Sequence, residues 1–397
     1  MKVVLFANTD WYLYNFRLGL ALELQRRGVD VLLISPDGPY GSRLHALGLR
    51  WIVAPLRRRS LDPLSELRTI VWLWRLLRRE QPNLIHGFTI KCAVYASIAA
   101  RLAGVRARIG AVTGMGYVFT STDLRARLLR PLVREVMRAA LSGPHVRVVL
   151  QNGDDVVLFT RSHLVDARLI RLIPGSGVNL SRFSQCSNAA APGPLRVLLA
   201  ARLLWDKGIG EYVEAARRLK AAGRSIRFQL AGMLDEGNPA SVPRPIVDAW
   251  AAEGTIEWYG HVEDMPALFA NTDVVVLPSY REGCPKSLIE AAACALPLIA
   301  TNVPGCHDVV HHEANGLLIP ARDAQLLAEA IARLDDDRPL ARRLGLAARE
   351  RALAEHDERS VIARTLAVYQ ELLPEIFAQT VSPLAEPLNT MGSDQSL

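Results

Sequence analysis

A chain of 397 residues is well over twice the roughly 150 of one domain, so two domains are expected and a single small module is excluded. Hydrophobic residues at 50% and charged residues at 22% exclude a disordered or collagen-like chain. The net charge of +7 is uneven, with 27 Lys and Arg against 12 Asp and Glu in residues 1–190 and 20 against 28 in the rest; the basic half lacks the interleaved aromatics or reading helix of a nucleic-acid binder, so no nucleic-acid partner is expected.

From the N-terminus, an apolar run over 2–7 predicts a buried strand, 16–27 a helix closed by Gly28, and 29–35 the next strand, making a βαβ unit. Helices over 63–80, 91–103 and 124–140 then alternate with strands over 83–86, 107–112 and 146–151, the pattern of a parallel sheet covered by helices. The segment FSQCSNAAAPGP at 183–194 has few large apolar residues and both Gly and Pro, and reads as a linker. Beyond it strands over 195–200, 226–231, 256–259, 274–278 and 297–301 alternate with helices over 210–222, 245–253, 265–271, 286–294 and 324–334. The expected fold class is α/β, two Rossmann-like doubly wound domains at 1–182 and 195–357 facing across a cleft. A helix over 358–377 follows, and the tail at 379–397, without periodicity, reads as disordered.

No apolar stretch reaches the eighteen or so residues of a spanning helix, and the run at 3–7 is too short for a secretory signal, so a cytoplasmic protein is expected. Cys92, Cys186, Cys284, Cys294 and Cys306 form an odd set without a C-x-x-C pair, which argues against a disulfide framework or a zinc site. His261 and the group His307, His311 and His312 lack a helical pair with a third ligand, so no metal is expected.

In open parallel sheets ligands sit at the carboxyl ends of strands, which points to the loops at 200–207, 232–238 and 279–285. Glu282 lies in the last of these and Glu290 about one turn into the next helix, so they address different parts of one ligand. Between them Lys286, Ser287 and Leu288 occupy a first helical turn, whose unpaired N–H groups and dipole favour a phosphate. Arg202 and Lys207 are close enough in one loop for both cations to reach one diphosphate. Ionised carboxylates are strong acceptors, which suits Glu290 to ribose hydroxyls and Glu282 to sugar hydroxyls. Taken together these features describe a sugar-nucleotide pocket. Singly, each glutamate reads equally as a solvated charge.

ARLLWDKG at 201–208 and PSYREGCPKSLIEAAACALPLIATNVPGC at 278–306 resemble the signature loops of family 4 retaining glycosyltransferases with the GT-B fold. QNGDDVVLF at 151–159, IPGSGVN at 173–179, LAGMLDEGNP at 230–239, WYGHVEDM at 258–265 and NGLLIP at 315–320 extend the resemblance over residues 1–375. HGFTIK at 86–91 and TGMGYVFT at 113–120 resemble a narrower group, which transfers N-acetylhexosamine to polyprenyl-diphosphate-linked sugars in surface polysaccharide or glycan assembly. The resemblance implies a C-terminal helix that crosses back to the first domain. It also implies Arg202 and Lys207 as the diphosphate-neutralising pair, Glu290 as the ribose ligand, Glu282 as the carboxylate beside the transferred sugar, and main-chain groups of Gly283, Cys284, Pro285, Lys286, Ser287 and Leu288 as holders of diphosphate and sugar. The family uses no metal or other cofactor: two cations and a helix N-terminus stabilise the departing charge. The partners implied are a nucleotide sugar, UDP-N-acetylhexosamine before GDP-mannose, and a lipid-linked saccharide acceptor; a UDP-sugar epimerase on the same fold is the alternative enzyme.

Many relatives carry a glycine pair after the first strand, where this chain reads NTDWYLYNFR at 8–17. Asn15 and Arg17 there could meet acceptor phosphates, or Trp11, Tyr12 and Tyr14 could simply pack the loop. Cys284 stands where larger apolar residues are often found and reads as inert. His86, at a strand end, is the second catalytic candidate, as a hydrogen-bond donor to sugar or acceptor; Lys91 and Tyr117 complete the acceptor candidates. Two stripes of the basic half, at 124–141 with Arg125, Arg127, Arg130, Arg134 and Arg138 and at 69–79 with Trp72 and Trp74, read either as core faces or as docking surfaces for an anionic membrane.

Overall fold

The computed structural model describes residues 1–58, 60, 62–114, 124–185, 193–235 and 237–374, with the backbone alone at 124–129. Tyr117, Cys186, most of the expected linker and the expected tail lie outside the described residues.

Two parallel sheets organise the chain. The first contains β1 Lys2–Phe6, β2 Asp30–Ser35, β3 Arg50–Val53, β4 Leu84–Phe88, β5 Ala107–Val112, β6 Val146–Leu150 and β7 Ile170–Leu172, in the order β3-β2-β1-β4-β5-β6-β7. The second contains β8 Leu195–Ala200, β9 Ile226–Ala231, β10 Glu257–Trp258, β11 Val274–Leu277, β12 Leu298–Thr301 and β13 Leu317–Ile319, in the order β10-β9-β8-β11-β12-β13. Most of these strands are continuous apolar runs because helices cover both faces, so both sides of each strand are buried. In each sheet the strand order reverses beside its first strand, between β1 and β4 and between β8 and β11. Such switch points open a crevice at the carboxyl ends of the strands.

Two corrections concern local structure. The expected helix over 16–27 starts earlier: Thr9 caps Asp10–Tyr12 by accepting from the Tyr12 amide at 3.1 Å, a π-turn spans Leu13–Arg17, and the α-helix proper is Leu18–Arg26. The short strands β3, β7 and β13 and the helix Arg338–Glu355 add to the predicted set.

The helix Glu358–Leu372 packs Val361, Leu366, Val368, Tyr369 and Leu372 into the core under β1, β2 and β4, not into the core of the second sheet that precedes it in sequence. The chain crosses back where Val178 donates to the His356 carbonyl at 2.8 Å and Glu358 donates to the Val178 carbonyl at 3.0 Å.

Candidate active site

The second sheet carries the residues expected on the donor side, in the loops that follow its two switch-point strands. After β8 the chain runs through Arg202 into one 3-10 turn, Trp205–Lys207, and then Gly208 begins the next helix at φ +71°. A Cβ at Gly208 would lie 2.2 Å from the Pro278 carbonyl, so the residue must be glycine for this loop to rest on the end of β11. The amide of Tyr280 donates to Asp206 at 2.9 Å across the same junction. The result is a direct ion pair: the Lys207 ammonium donates to Glu282 Oε1, which also accepts from the Ser279 hydroxyl at 2.7 Å. Two residues singled out separately in the sequence are thus one unit.

The helix Lys286–Ala293 begins after Pro285 with no side-chain cap, and its first intrahelical bond runs from Ile289 to the Pro285 carbonyl at 3.3 Å. The amides of Lys286, Ser287 and Leu288 therefore precede the hydrogen-bonded ladder and form a donor set for an anion. Glu290 follows on the same helix and is 9% exposed. Burial raises its pKa; Lys286, with Nζ 3.7 Å away, and Arg182 pull it partly back. Burial pushes the Cys284 thiol up to about 12, which keeps it protonated and unreactive, as the sequence suggests.

Arg202 is half-exposed and donates to Asp235 Oδ2 at 2.8 Å; the same oxygen accepts from Asn238 at 2.9 Å and lies 3.6 Å from Arg58 of the first sheet's loops. One carboxylate oxygen thus gathers two guanidinium groups from opposite sides of the cleft.

The acceptor side departs further from expectation. Asn15 does reach the cleft, but with its main chain: its carbonyl accepts from Lys286 Nζ, while its side chain donates to the Trp11 carbonyl at 3.0 Å. Arg17 is turned inward, with its guanidinium 4.4 Å from the centre of the Phe88 ring and bonded to the Tyr12 hydroxyl at 2.9 Å; the aromatic loop that replaces a glycine pair captures it by cation–π contact. His86 is 2% exposed and does not line the cleft. Its Nδ1 meets the Tyr369 hydroxyl of the crossing helix at 2.8 Å, and burial, with Arg17 nearby, holds its pKa well below the ordinary histidine value. Lys91 spends its three donors on the carbonyls of Arg57 and Ser60, both at 2.9 Å, and on Glu66 at 2.7 Å, so it anchors the loop that carries Arg58 instead of presenting a charge to a ligand.

Sequence reasoning also left QNGDD at 151–155 without a role. Asn152 caps its own helix Gly153–Arg161, while Asp155 pairs with Arg281 and His307 Nε2 meets Asp154 at 2.8 Å across the cleft. The signal was an Asn at a strand end followed by two aspartates in a first helical turn. A cavity of about 840 Å³, lined in part by Arg138, Arg147, His163 and Arg168, opens at the amino ends of β6 and β7, the far side of the sheet from these groups, and takes no part in the site.

The family described as "Glycosyl transferase 4-like" matches residues 2–143, and "Glycosyl transferases group 1" matches residues 183–351, the part that carries the Lys207–Glu282 ion pair and the helix Lys286–Ala293. The chain belongs to the family 4 glycosyltransferases of the GT-B fold. It is 27% identical over 387 residues to the N,N'-diacetylbacillosaminyl-diphospho-undecaprenol alpha-1,3-N-acetylgalactosaminyltransferase of Campylobacter jejuni, covering 95% of this chain and all of that one. It is 25% identical to the Escherichia coli UDP-Gal:alpha-D-GlcNAc-diphosphoundecaprenol alpha-1,3-galactosyltransferase, over 78% of this chain and 80% of the relative. Among solved structures, Anabaena HepE in complex with UDP and glucose superposes with a TM-score of 0.77 at 17% identity, over 94% of this glycosyltransferase and 100% of that chain. WaaG, involved in lipopolysaccharide biosynthesis, superposes with a TM-score of 0.71 at 16% identity, over 93% and 99%. At these identities the structures speak for the fold alone.

Proposed function

We propose that this glycosyltransferase moves an N-acetylhexosamine from a UDP-sugar to a polyprenyl-diphosphate-linked saccharide, with retention of anomeric configuration and without a metal. The observation that carries the reading is the convergence of Arg202, the Lys207–Glu282 pair and the uncapped start of the helix Lys286–Ala293 at the switch point of the second sheet. The activities named for the Campylobacter jejuni and Escherichia coli relatives, both on undecaprenol-diphosphate acceptors, support the acceptor class. In this reading residues 1–182 with the crossing helix form the acceptor domain, and residues 195–357 hold the donor.

The chemistry follows from charge. The C–O bond between the anomeric carbon and the diphosphate breaks, and the negative charge that gathers on the diphosphate is met by Arg202, Lys207 and the amides of Lys286 to Leu288. Glu290 accepts from the ribose hydroxyls and Glu282 from the sugar. The acceptor hydroxyl attacks on the face from which the diphosphate leaves and gives its proton to the departing oxygen, so no protein nucleophile is needed.

Among the described residues no helix is long and apolar enough to cross a membrane. In the proposed reading, docking at the cytoplasmic face of the membrane falls to surface residues of the basic half. On the helix Leu124–Ala140, Met137 is buried, while Leu132 is 64% exposed, with Arg134 and Arg138 also exposed. On the helix Pro63–Glu80, Leu73, Leu76 and Leu77 face the core, and Leu64 and Leu67 are exposed. Each Arg near an anionic surface contributes about 1 kcal/mol.

Two variants test the site. Lys207→Ala is expected to weaken UDP binding and to lower transfer about 100- to 1,000-fold, the cost of one transition-state donor. Glu282→Ala is expected to lose transfer with UDP affinity retained, read by calorimetry. Full activity in both would place the reaction elsewhere.

A further inference from the structure

Glu282 is held from one side by its own domain, through Lys207 and Ser279. Its two sequence neighbours are held from the other side by the first domain. The Arg281 guanidinium donates to Asp155 Oδ1, and Asp155 is fully buried. The Gly283 carbonyl accepts from Asn152 Nδ2 at 2.8 Å. Asn152 and Asp155 are themselves locked together: Nδ2 of Asn152 also donates to Asp155 Oδ2 at 3.0 Å, and Oδ1 of Asn152 caps the helix by accepting from the Asp155 amide at 2.8 Å. A Cβ at Gly283 would lie 2.5 Å from the Thr113 carbonyl and 2.7 Å from Gln151 Oε1, so the backbone there rests directly on the ends of β5 and β6.

We infer that Asp155 and Asn152 are positioning residues for transfer: through Arg281 and the Gly283 carbonyl they set the Glu282 loop, so that the carboxylate beside the transferred sugar is aligned only while the acceptor domain is docked on the donor domain. The inference rests on the assignment of Glu282 proposed above. Its physical basis is twofold. A charge-assisted bond to a fixed carboxylate is directional, and Asp155 is fixed by its cap, its burial and its helix. A buried carboxylate also needs its partner, so Arg281 cannot swing away without leaving Asp155 uncompensated. The donor-binding groups Arg202, Lys207, Glu290 and the helix Lys286–Ala293 all belong to the second domain, and their ion pairs run to Asp235, Glu282 and one another, not to Arg281, Asp155 or Asn152. Loss of the contact therefore separates donor binding from transfer, which general loss of stability would not do.

The experiment is a double-mutant cycle on the full chain with Arg281→Ala, Asp155→Asn and the pair, alongside Arg281→Lys and Glu282→Ala, measuring kcat, acceptor KM and UDP affinity. The expected result is a loss of about ten- to hundred-fold in kcat in each single variant, the scale of a small misplacement at the reacting centre, with UDP affinity unchanged. The double variant is expected to be no worse than either single one, because the two groups act as a unit, and Arg281→Lys is expected to recover part of the rate. Wild-type kcat in Arg281→Ala overturns the inference, as do additive losses or a parallel loss of UDP affinity. If Asp155→Asn does not fold, Arg281→Ala and Arg281→Lys decide alone. Glu282→Ala separates the two levels: with it inactive and Arg281→Ala at wild-type rate, only this inference fails, and with both fully active the site itself is misassigned.

Discussion

Glu290, the proposed ribose ligand, illustrates how a buried carboxylate is kept at a cost to stability. A carboxylate on the buried side of the helix Lys286–Ala293 is partly compensated by Lys286, and its pKa remains raised by burial. The sign follows directly. The folded protein binds a proton at higher pH than the unfolded chain, so stability falls as pH rises from the ordinary glutamate value through the raised one, and the penalty is fully present above the raised value. Glu290→Gln is therefore expected to raise the melting temperature at pH 7.5, with the gain vanishing below about pH 4.5, where both side chains are neutral. The same variant loses a charge-assisted acceptor for ribose and is expected to bind UDP about ten-fold more weakly. Differential scanning fluorimetry with and without UDP reads both effects. The placement of the proposed donor residues was legible in the sequence: Arg202, Lys207 and Glu282 lie in the loops after β8 and β11, and Glu290 lies about one turn into the helix that follows β11. Arg17, His86 and Lys91 were not, because their fates depend on partners distant in sequence. His86 meets Tyr369 across 283 positions and Lys91 meets Glu66 across 25, and no spacing rule carries that information.

At the scale of elements, the crossing from the second core back to the first is a tight junction. Gly177 sits at φ +73°, and a Cβ there would lie 2.5 Å from the Glu358 backbone, so the strap and the IPGSGVN loop are in direct backbone contact. His356 stands in this strap at 3% exposure with neither ring nitrogen bonded among the described residues, and burial pulls its pKa down to about 4. Its neutral form contributes stability that is fully present above the ordinary histidine value of about 6.5 and is lost as pH falls toward 4; His86 acts in the same direction. His356→Phe keeps the bulk without the charge, so its melting temperature is expected to fall less than that of the wild type between pH 7 and 4.5. An unchanged pH dependence would remove His356 from the account. The long helices were legible from apolar periodicity, and the structure adds their caps, such as Asp62 before Pro63, whose carboxylate accepts from the amides of Leu64 and Ser65. The strands β7 and β13, three residues each, were not, since so short a run carries no period, and the π-turn at Leu13–Arg17 depends on how the aromatic loop packs.

At the scale of the molecule, the two sheets repeat one strand order, and their switch points face one another across a cleft bridged by Lys286 and Asn15, Arg281 and Asp155, and Arg58 and Asp235. In the proposed function this arrangement brings a donor held by one domain to an acceptor held by the other. The alternation of apolar strands and helices made this architecture readable, while the bridges depend on pairs far apart in sequence: Arg281 and Asp155 are 126 positions apart. The most direct test of the central claim is transfer of radiolabelled N-acetylhexosamine from its UDP-sugar to a polyprenyl-diphosphate-linked saccharide in EDTA, with GDP-mannose in parallel and the anomeric configuration read by NMR. Chelator-resistant transfer from a UDP-N-acetylhexosamine with retained configuration is expected. Turnover of GDP-mannose alone, dependence on a divalent metal, or an inverted product would contradict it.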